Sequence, residues 1–561
     1  IKMIIIYIIS IFIFLILYSA IYYIIVFNKY FDGVEKETLK RSYLIKHIIR
    51  YIRFIAIGFA IYTLVRTLDI VFSNFITTSS DIQLTGAGIT DVIIKLWGNI
   101  IFAIVIVVAI FLATSNFQKE QKMKVLKNIL SIPIYLVAMF IVMIGFDLIF
   151  VNSNEYDKEK TYIERNMAYT KTAYGIDCEQ EVKEYSGTIT VEEVENNRNI
   201  INNSVITSKD IALESLNEDQ TEKGYYTYST AGISKCNENG NWRLVYMSPR
   251  EIVNSKRTYN SRTFEYTHGY GLVLTSATSV TEDGNIEYVR NKIEDDNNIK
   301  QQIYYGLETN NTIVTNPNGQ DEYDYTDNKG KEYKTSYTGS SGLNLNFIDR
   351  FILGMKTGDI NLAFSTKVTK ENKILINRNI IERAEVALSD SNIIYDNEPY
   401  TVVSEDGNIY WVLDAYTISS NYPYSTYTTI QYNGEKLTIN YIRNSIKVII
   451  NSYDGSMRFY ITDTTDPIAM AYRNIYPELF EDIETKIPED ISNNFVYPKF
   501  LYEVQASMLE EYHNTKSELL YRGDDNWSKA TYTTNTSNKT SNSILEPYYT
   551  MIKEDNNETI G

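Results

Sequence analysis

The stretch MIIIYIISIFIFLILYSAIYYIIVF, residues 3–27, decides the architecture, because it runs 25 residues without a charge. A helix needs roughly 20 such residues to cross bilayer hydrocarbon at about 1.5 Å per residue. It reads as a membrane span and not as a cleaved leader, since Asn28-Lys29-Tyr30-Phe31 follows in place of a small-residue cleavage site. Further apolar runs at 54–76, 92–115 and 129–151 bring the expected spans to four. Residues 1–151 therefore predict a membrane all-α helical bundle. Neither end carries a start or stop signal, and the chain reads as a fragment.

Charge predicts how these spans are oriented. The loop 28–53 carries Lys29, Lys36, Lys40, Arg41, Lys46, Arg50 and Arg53, and 116–128 carries Lys119, Lys122, Lys124 and Lys127. Between them, 73–91 has no basic residue and contains Asp81 and Asp91. Lys and Arg in short loops are retained in the cytoplasm, so both Lys-rich loops are expected inside and everything after Val151 outside. If the complete protein starts in the cytoplasm, an odd number of spans must precede residue 1. Arg66 and Asp69, three apart in the second span, share a helix face. They read either as part of an ion or proton path or as a pair in the outer interface, with the span ending near Leu64. Lys95 and Asp147 fall near outward ends, where a lysine can reach the interface.

After residue 151 the composition changes. Residues 1–151 hold 14 Lys+Arg against 8 Asp+Glu, whereas 152–561 hold 39 against 62, a net charge of −23. A domain of that sign repels phosphate backbones, which excludes nonspecific nucleic-acid binding. Two Cys and three His exclude a four-cysteine zinc site and a cysteine-held iron-sulfur cluster. Short runs of Tyr, Ile, Val and Thr alternate with turn dipeptides: Asp283-Gly284, Asp406-Gly407, Asn433-Gly434 and Asp454-Gly455. SIKVIIN at 445–451 and MRFYIT at 457–462, joined by Tyr453-Asp454-Gly455-Ser456, predict a hairpin. Helices are expected at 347–356, 466–480 and 498–512, and a loop or mobile insertion at 528–544. The second region, 152–561, is thus a large extracytoplasmic α+β, strand-dominated domain, with two subdomains dividing near 340.

No Walker loop, HExxH, GxSxG or paired CxxC occurs, so no catalytic residue, metal site or cofactor is expected. The chemistry-bearing candidates are His268 and His513, each beside aromatics, and the acids Asp414 and Asp454, with Arg66 and Asp69 in the membrane. Buried, hydrogen-bonded structural histidines compete with a metal or acid/base pair. Asp321-Glu322 and Asp295-Asp296 are acid pairs of a kind that 62 carboxylates produce by chance. The 48 tyrosines fit either a glycan- or peptide-binding surface or coding bias toward Tyr. Cys178 and Cys236 share the outer compartment, where a disulfide is permitted and not required.

Several strings are more specific. Gly86-Ala87, Thr90-Asp91-Val92, Asn154-Glu155, Glu159, YIERNM at 162–167 and TKTAYGID at 170–177 resemble the UPF0182 family of bacterial membrane proteins. So do YTHGYG at 266–271, WVLDAYT at 411–417, YPYS at 422–425, NYIRNSIK at 440–447, Tyr453-Asp454-Gly455, Asp466-Pro467, Val504-Gln505-Ala506, Tyr512-His513 and EPYYT at 546–550. Ser153 stands where the family often has Pro. The resemblance implies a longer protein of about seven spans, three of them absent here, and more sequence after Gly561. It supplies no activity and no catalytic residue.

Three functions compete. The first is a non-enzymatic cell-envelope binding or assembly protein, anchored in the lipid bilayer, whose acidic domain binds cell-wall polymer, lipid or envelope proteins. The second is an envelope enzyme acting on wall or surface glycans, which predicts acids of raised pKa in a concave pocket. The third is a transporter component with Arg66, Asp69 and Asp147 lining a path.

Overall fold

The computed structural model describes residues 2–22, 25, 34–73, 75–79, 82–178, 187–219, 225–238, 241–253, 257–291, 299–316, 319–327, 329–389, 392–536, 539–554 and 557–561. Lys29, Asp81, the Asp295-Asp296 pair and most of the end of the first apolar run lie outside them.

Among the described residues, four helices are long and apolar enough to cross a membrane: Lys2–Tyr22, Ile45–Phe72, Asp91–Gln118 and Lys122–Val151. The second starts within a longer helix, Val34–Thr67, and continues through a turn into the short helix Ile70–Ser73, so most of the stretch expected as a loop at 28–53 is helical. Its Glu, Lys, Leu and Arg residues are strong helix formers, and no Gly or Pro interrupts them from Val34 to Arg53. Arg53 faces the third span, donating to Thr114 Oγ1 at 2.9 Å and Ser115 Oγ at 3.0 Å. The third and fourth spans each contain one π-helical turn, Asp91–Lys95 and Asp147–Val151, and each turn begins with an aspartate.

Contacts divide the chain into two compact units. One comprises Ile1–Cys178, Ser419–Tyr441 and Ser507–Lys529; the other Glu179–Ile418, Ile442–Ala506 and Ala530–Gly561. In the first, the spans are followed by the helix Glu155–Tyr174, which buries Glu159, Ile163, Asn166, Met167, Thr170, Ala173 and Tyr174. Three- and four-residue spacing puts them on one face, and Gly175 ends the helix in the left-handed conformation, φ 64°. This helix is a correction to the strand-dominated pattern expected directly after Val151. Its interior stripe contains Glu, Asn and Thr, so hydrophobic periodicity does not reveal it. The strands Thr428–Tyr432 and Glu435–Ile439 pair through Asn433-Gly434, both at positive φ, as a two-residue hairpin turn requires.

The second unit is built on two antiparallel sheets. One has five strands, in the order Ile393–Tyr395, Ile409–Ser419, Tyr441–Asn451, Met457–Ile461, with Tyr400–Val403 also pairing onto Ile409–Ser419. The other orders Gly232–Glu238, Asn241–Pro249, Leu272–Val280 and Ile286–Arg290. The five-stranded sheet is buried on both faces. Trp411, Leu413 and Ala415 pack with Ile446, Val448 and Phe459, while Val412 and Ile449 pack with Tyr400, Val402 and Tyr246. A strand covered twice reads as a continuous apolar run, and VLDAYT interrupts its run only at Asp414 and Thr417.

The hairpin at 445–462 forms with Ile450 opposite Met457 and Ile446 opposite Ile461. Helices occupy Phe347–Thr357 and Lys499–Tyr512 as expected. That at 466–480 stops at Ile475, because Pro477 follows Tyr476 and disfavours helical backbone there. Its start is capped by Asp466, which accepts from Ile468 N at 2.8 Å. Residues 528–544, expected as a loop, contain the paired strands Thr531–Thr536 and Lys539–Ile544, since Thr and Tyr favour extended backbone. No disulfide joins Cys178 and Cys236.

Candidate functional site

In the first unit, many of the strings that carry the family resemblance meet at one place. The loop from Gly86 to Asp91 leads into the third span, and Ile89 N donates to both carboxylate oxygens of Glu159, at 3.1 and 3.2 Å. Gly88 N donates to Asp91 Oδ2 at 3.2 Å, and Thr90 Oγ1 to Asp147 Oδ1 at 2.8 Å. Lys95 lies 3.5 Å from Asp91. Burial pushes Glu159 up to about 7, and Asp91, Asp147 and Glu155 add repulsion in the same direction against the Ile89 hydrogen bonds. A carboxyl with that value exchanges its proton near neutral pH.

Around this loop the backbone is clamped by side chains. Asn166 Nδ2 donates to Thr85 O at 2.9 Å and Tyr424 O at 2.8 Å, while its Oδ1 accepts from Tyr512 OH at 2.8 Å. Tyr424 OH donates to Ala87 O at 3.2 Å, and Arg165 lies over the Tyr424 ring at 5.0 Å. Neighbouring His513 directs Nδ1 to Leu509 O at 2.8 Å and stacks on Trp527, ring centroids 3.8 Å apart. Asp69 pairs with Lys2. The helix carrying Arg66 ends one residue later, at Thr67.

The second unit buries a denser polar network around YTHGYG. Arg378 is fully enclosed, yet donates to Tyr304 O at 2.8 Å, Thr267 O at 2.5 Å and Asn311 O at 3.2 Å. Burial lowers its pKa to about 10. Glu322 accepts from Thr267 Oγ1, Tyr304 OH (3.0 Å) and Asn316 N (3.0 Å), and burial raises its pKa. Glu251, pushed up to about 7 by burial, accepts from Ser229 Oγ and Glu308 N. Gly306 must be glycine here, because a Cβ would stand 2.1 Å from Glu251 Oε2. His268 is buried with Nδ1 2.9 Å from Gly269 O and its ring 4.7 Å from that of Tyr304. Desolvation holds it down at about 4, so it is neutral at pH 7. Asp414 is buried against Lys447 and Asn444 in the five-stranded sheet, and Asp454 sits in its hairpin turn, accepting from Ser340 Oγ at 2.9 Å. Among the described residues no three His, Cys, Asp or Glu side chains group as metal ligands.

A pocket of about 460 Å³ opens beside this network, within the size range of small-ligand sites. The helix Tyr259–Phe264 supplies Tyr259 and Arg262 to it, the end of the helix Phe347–Thr357 supplies Lys356, and Asn310, Asn361 and Glu382 complete the rim. Its floor is rigid: Arg378 also bonds Asn311 Oδ1 at 3.2 Å, and Asn311 Nδ2 bonds Arg262 O at 3.1 Å. None of the candidates drawn from the sequence lines this pocket. Arg378 lies in INRNI, a string with no motif, and only its distant partners single it out.

The chain matches the profile of UPF0182, an uncharacterised protein family, over residues 1–560. It is 34% identical over 523 residues to a UPF0182 protein of Clostridium acetobutylicum, covering 90% of this chain and 54% of that protein. With a UPF0182 protein of Caldicellulosiruptor saccharolyticus the identity is 35% over 483 residues (84% and 51%), and with one of Clostridium tetani 33% over 582 residues (98% and 62%). The chain thus spans about half the length of the curated relatives it matches. No solved structure matches it. From its apolar helices to its strand-rich second half, this chain belongs to the UPF0182 family.

Proposed function

We propose that the chain is part of a multi-pass plasma-membrane protein whose residues after Val151 lie outside the cell and bind an envelope polymer or protein without transforming it. The carrying observation is the pocket beside Arg378: about 460 Å³, open, and set on a floor that hydrogen bonds from the buried Arg378 to Asn311 hold in place. Preorganisation of that kind favours binding. The acids whose pKa burial raises in this unit, Glu251, Glu322, Asp324 and Asp396, are engaged by hydrogen-bond donors and are not among the pocket's lining residues, which favours binding over catalysis.

Co-sedimentation tests the reading. The chain in detergent micelles is mixed with purified cell-wall sacculi, and the bound fraction is compared with that of Arg262→Gln/Lys356→Gln. Saturable binding that the double variant loses supports the reading. Equal recovery of both proteins in the supernatant overturns it.

A further inference from the structure

The pocket's lining selects among ligand chemistries. Arg262 and Lys356 reach it from two different helices, and neither has an ion-pair partner among the described residues. With Arg378 they give the lining three cations against two acids, Asp359 and Glu382, inside a domain of net charge −23. A locally cationic concavity in an acidic surface concentrates anions.

The rest of the lining is suited to hydroxyl groups. Asn310, Asn361 and Asn377 offer amides that both donate and accept, the pattern a polyhydroxylated ring requires. Tyr259 is fixed by its OH, which donates to Asp359 Oδ2 at 3.2 Å, and its ring supplies a flat apolar surface. We propose, resting on the binding reading above, that this pocket takes a saccharide bearing an acidic substituent, a carboxylate or a phosphate. The amides and Glu382 engage its hydroxyls, and Arg262 and Lys356 its charge.

Calorimetric titration of the whole chain in micelles tests this with five probes: an oligogalacturonide, mannose 6-phosphate, a neutral maltooligosaccharide, polyglutamate and inorganic phosphate. The expected result is binding of one or both acidic saccharides, weakened at least tenfold by Arg262→Gln or Lys356→Gln and by Asn361→Ala, with melting temperatures unchanged. Preference for the carboxylated or the phosphorylated sugar identifies the source of the charge. Equal binding of the neutral glucan overturns the charge requirement, and equal binding of polyglutamate or free phosphate overturns the saccharide. If no probe binds while sacculi still co-sediment, the ligand class is wrong and the binding reading stands. If sacculi also fail, both fall.

Discussion

The Tyr424 ring lies directly over Gly86, so near that a Cβ on residue 86 would stand 2.4 Å from Tyr424 Cδ1. Both backbones are held at positive φ, 140° at Gly86 and 59° at Tyr424, a conformation that a tyrosine adopts at a cost of order 1–3 kcal/mol. The contact lets Tyr424 OH reach Ala87 O and closes the loop ahead of the third span. Gly86→Ala is expected to destabilise the protein by roughly 2–4 kcal/mol, from overpacking and backbone strain together. Thermal melting in detergent measures it, and a melting temperature equal to wild type would refute the contact.

Glu159 gives the first unit a pH dependence. Its folded pKa, about 7, lies above the unfolded carboxyl value, so the folded state holds the proton longer. Stability from this group is full below about pH 4.5 and is lost as pH rises to about 7. Glu159→Gln should therefore be more stable than wild type at pH 8, by roughly 2 kcal/mol and with a higher melting temperature, and close to it at pH 5. Indistinguishable melting curves at both pH values would show that the carboxyl is not desolvated.

His268 slopes the other way. With a folded pKa of about 4, its contribution is complete above the ordinary imidazole value of about 6.5 and is lost as pH falls through 4. His268→Gln and His513→Gln are each expected to lower stability by roughly 1–3 kcal/mol, and His268→Gln to flatten the acid side of the profile. Glu251 titrates in the opposite sense, so wild type and variant are compared at each pH. Elemental analysis should find no metal in either; stoichiometric zinc lost in both variants would contradict the structural role.

Topology is tested by labelling. In a Cys178→Ser/Cys236→Ser background, a cysteine replacing Lys331 should react with an impermeant maleimide on intact cells. Reaction only after lysis would invert the orientation that the Lys-rich stretches imply.

The legibility of this protein follows the range of the forces involved. A helix long and apolar enough to cross a membrane depends on about 20 adjacent apolar residues, and a two-residue hairpin turn on whether Asn433-Gly434 tolerates positive φ; both are local, and the sequence alone determined them. The polar stripe of Glu155–Tyr174 hid a helix, because Asn166 and Glu159 are buried only where Tyr424, Tyr512 and Ile89 arrive to satisfy them. Arg378, Glu322 and Thr267 are separated by tens to more than a hundred residues and form one network. Whether such charges are buried and paired, or merely exposed, is decided by tertiary contacts that desolvate them, and so the pocket that Arg378 helps to floor was visible only in the folded chain.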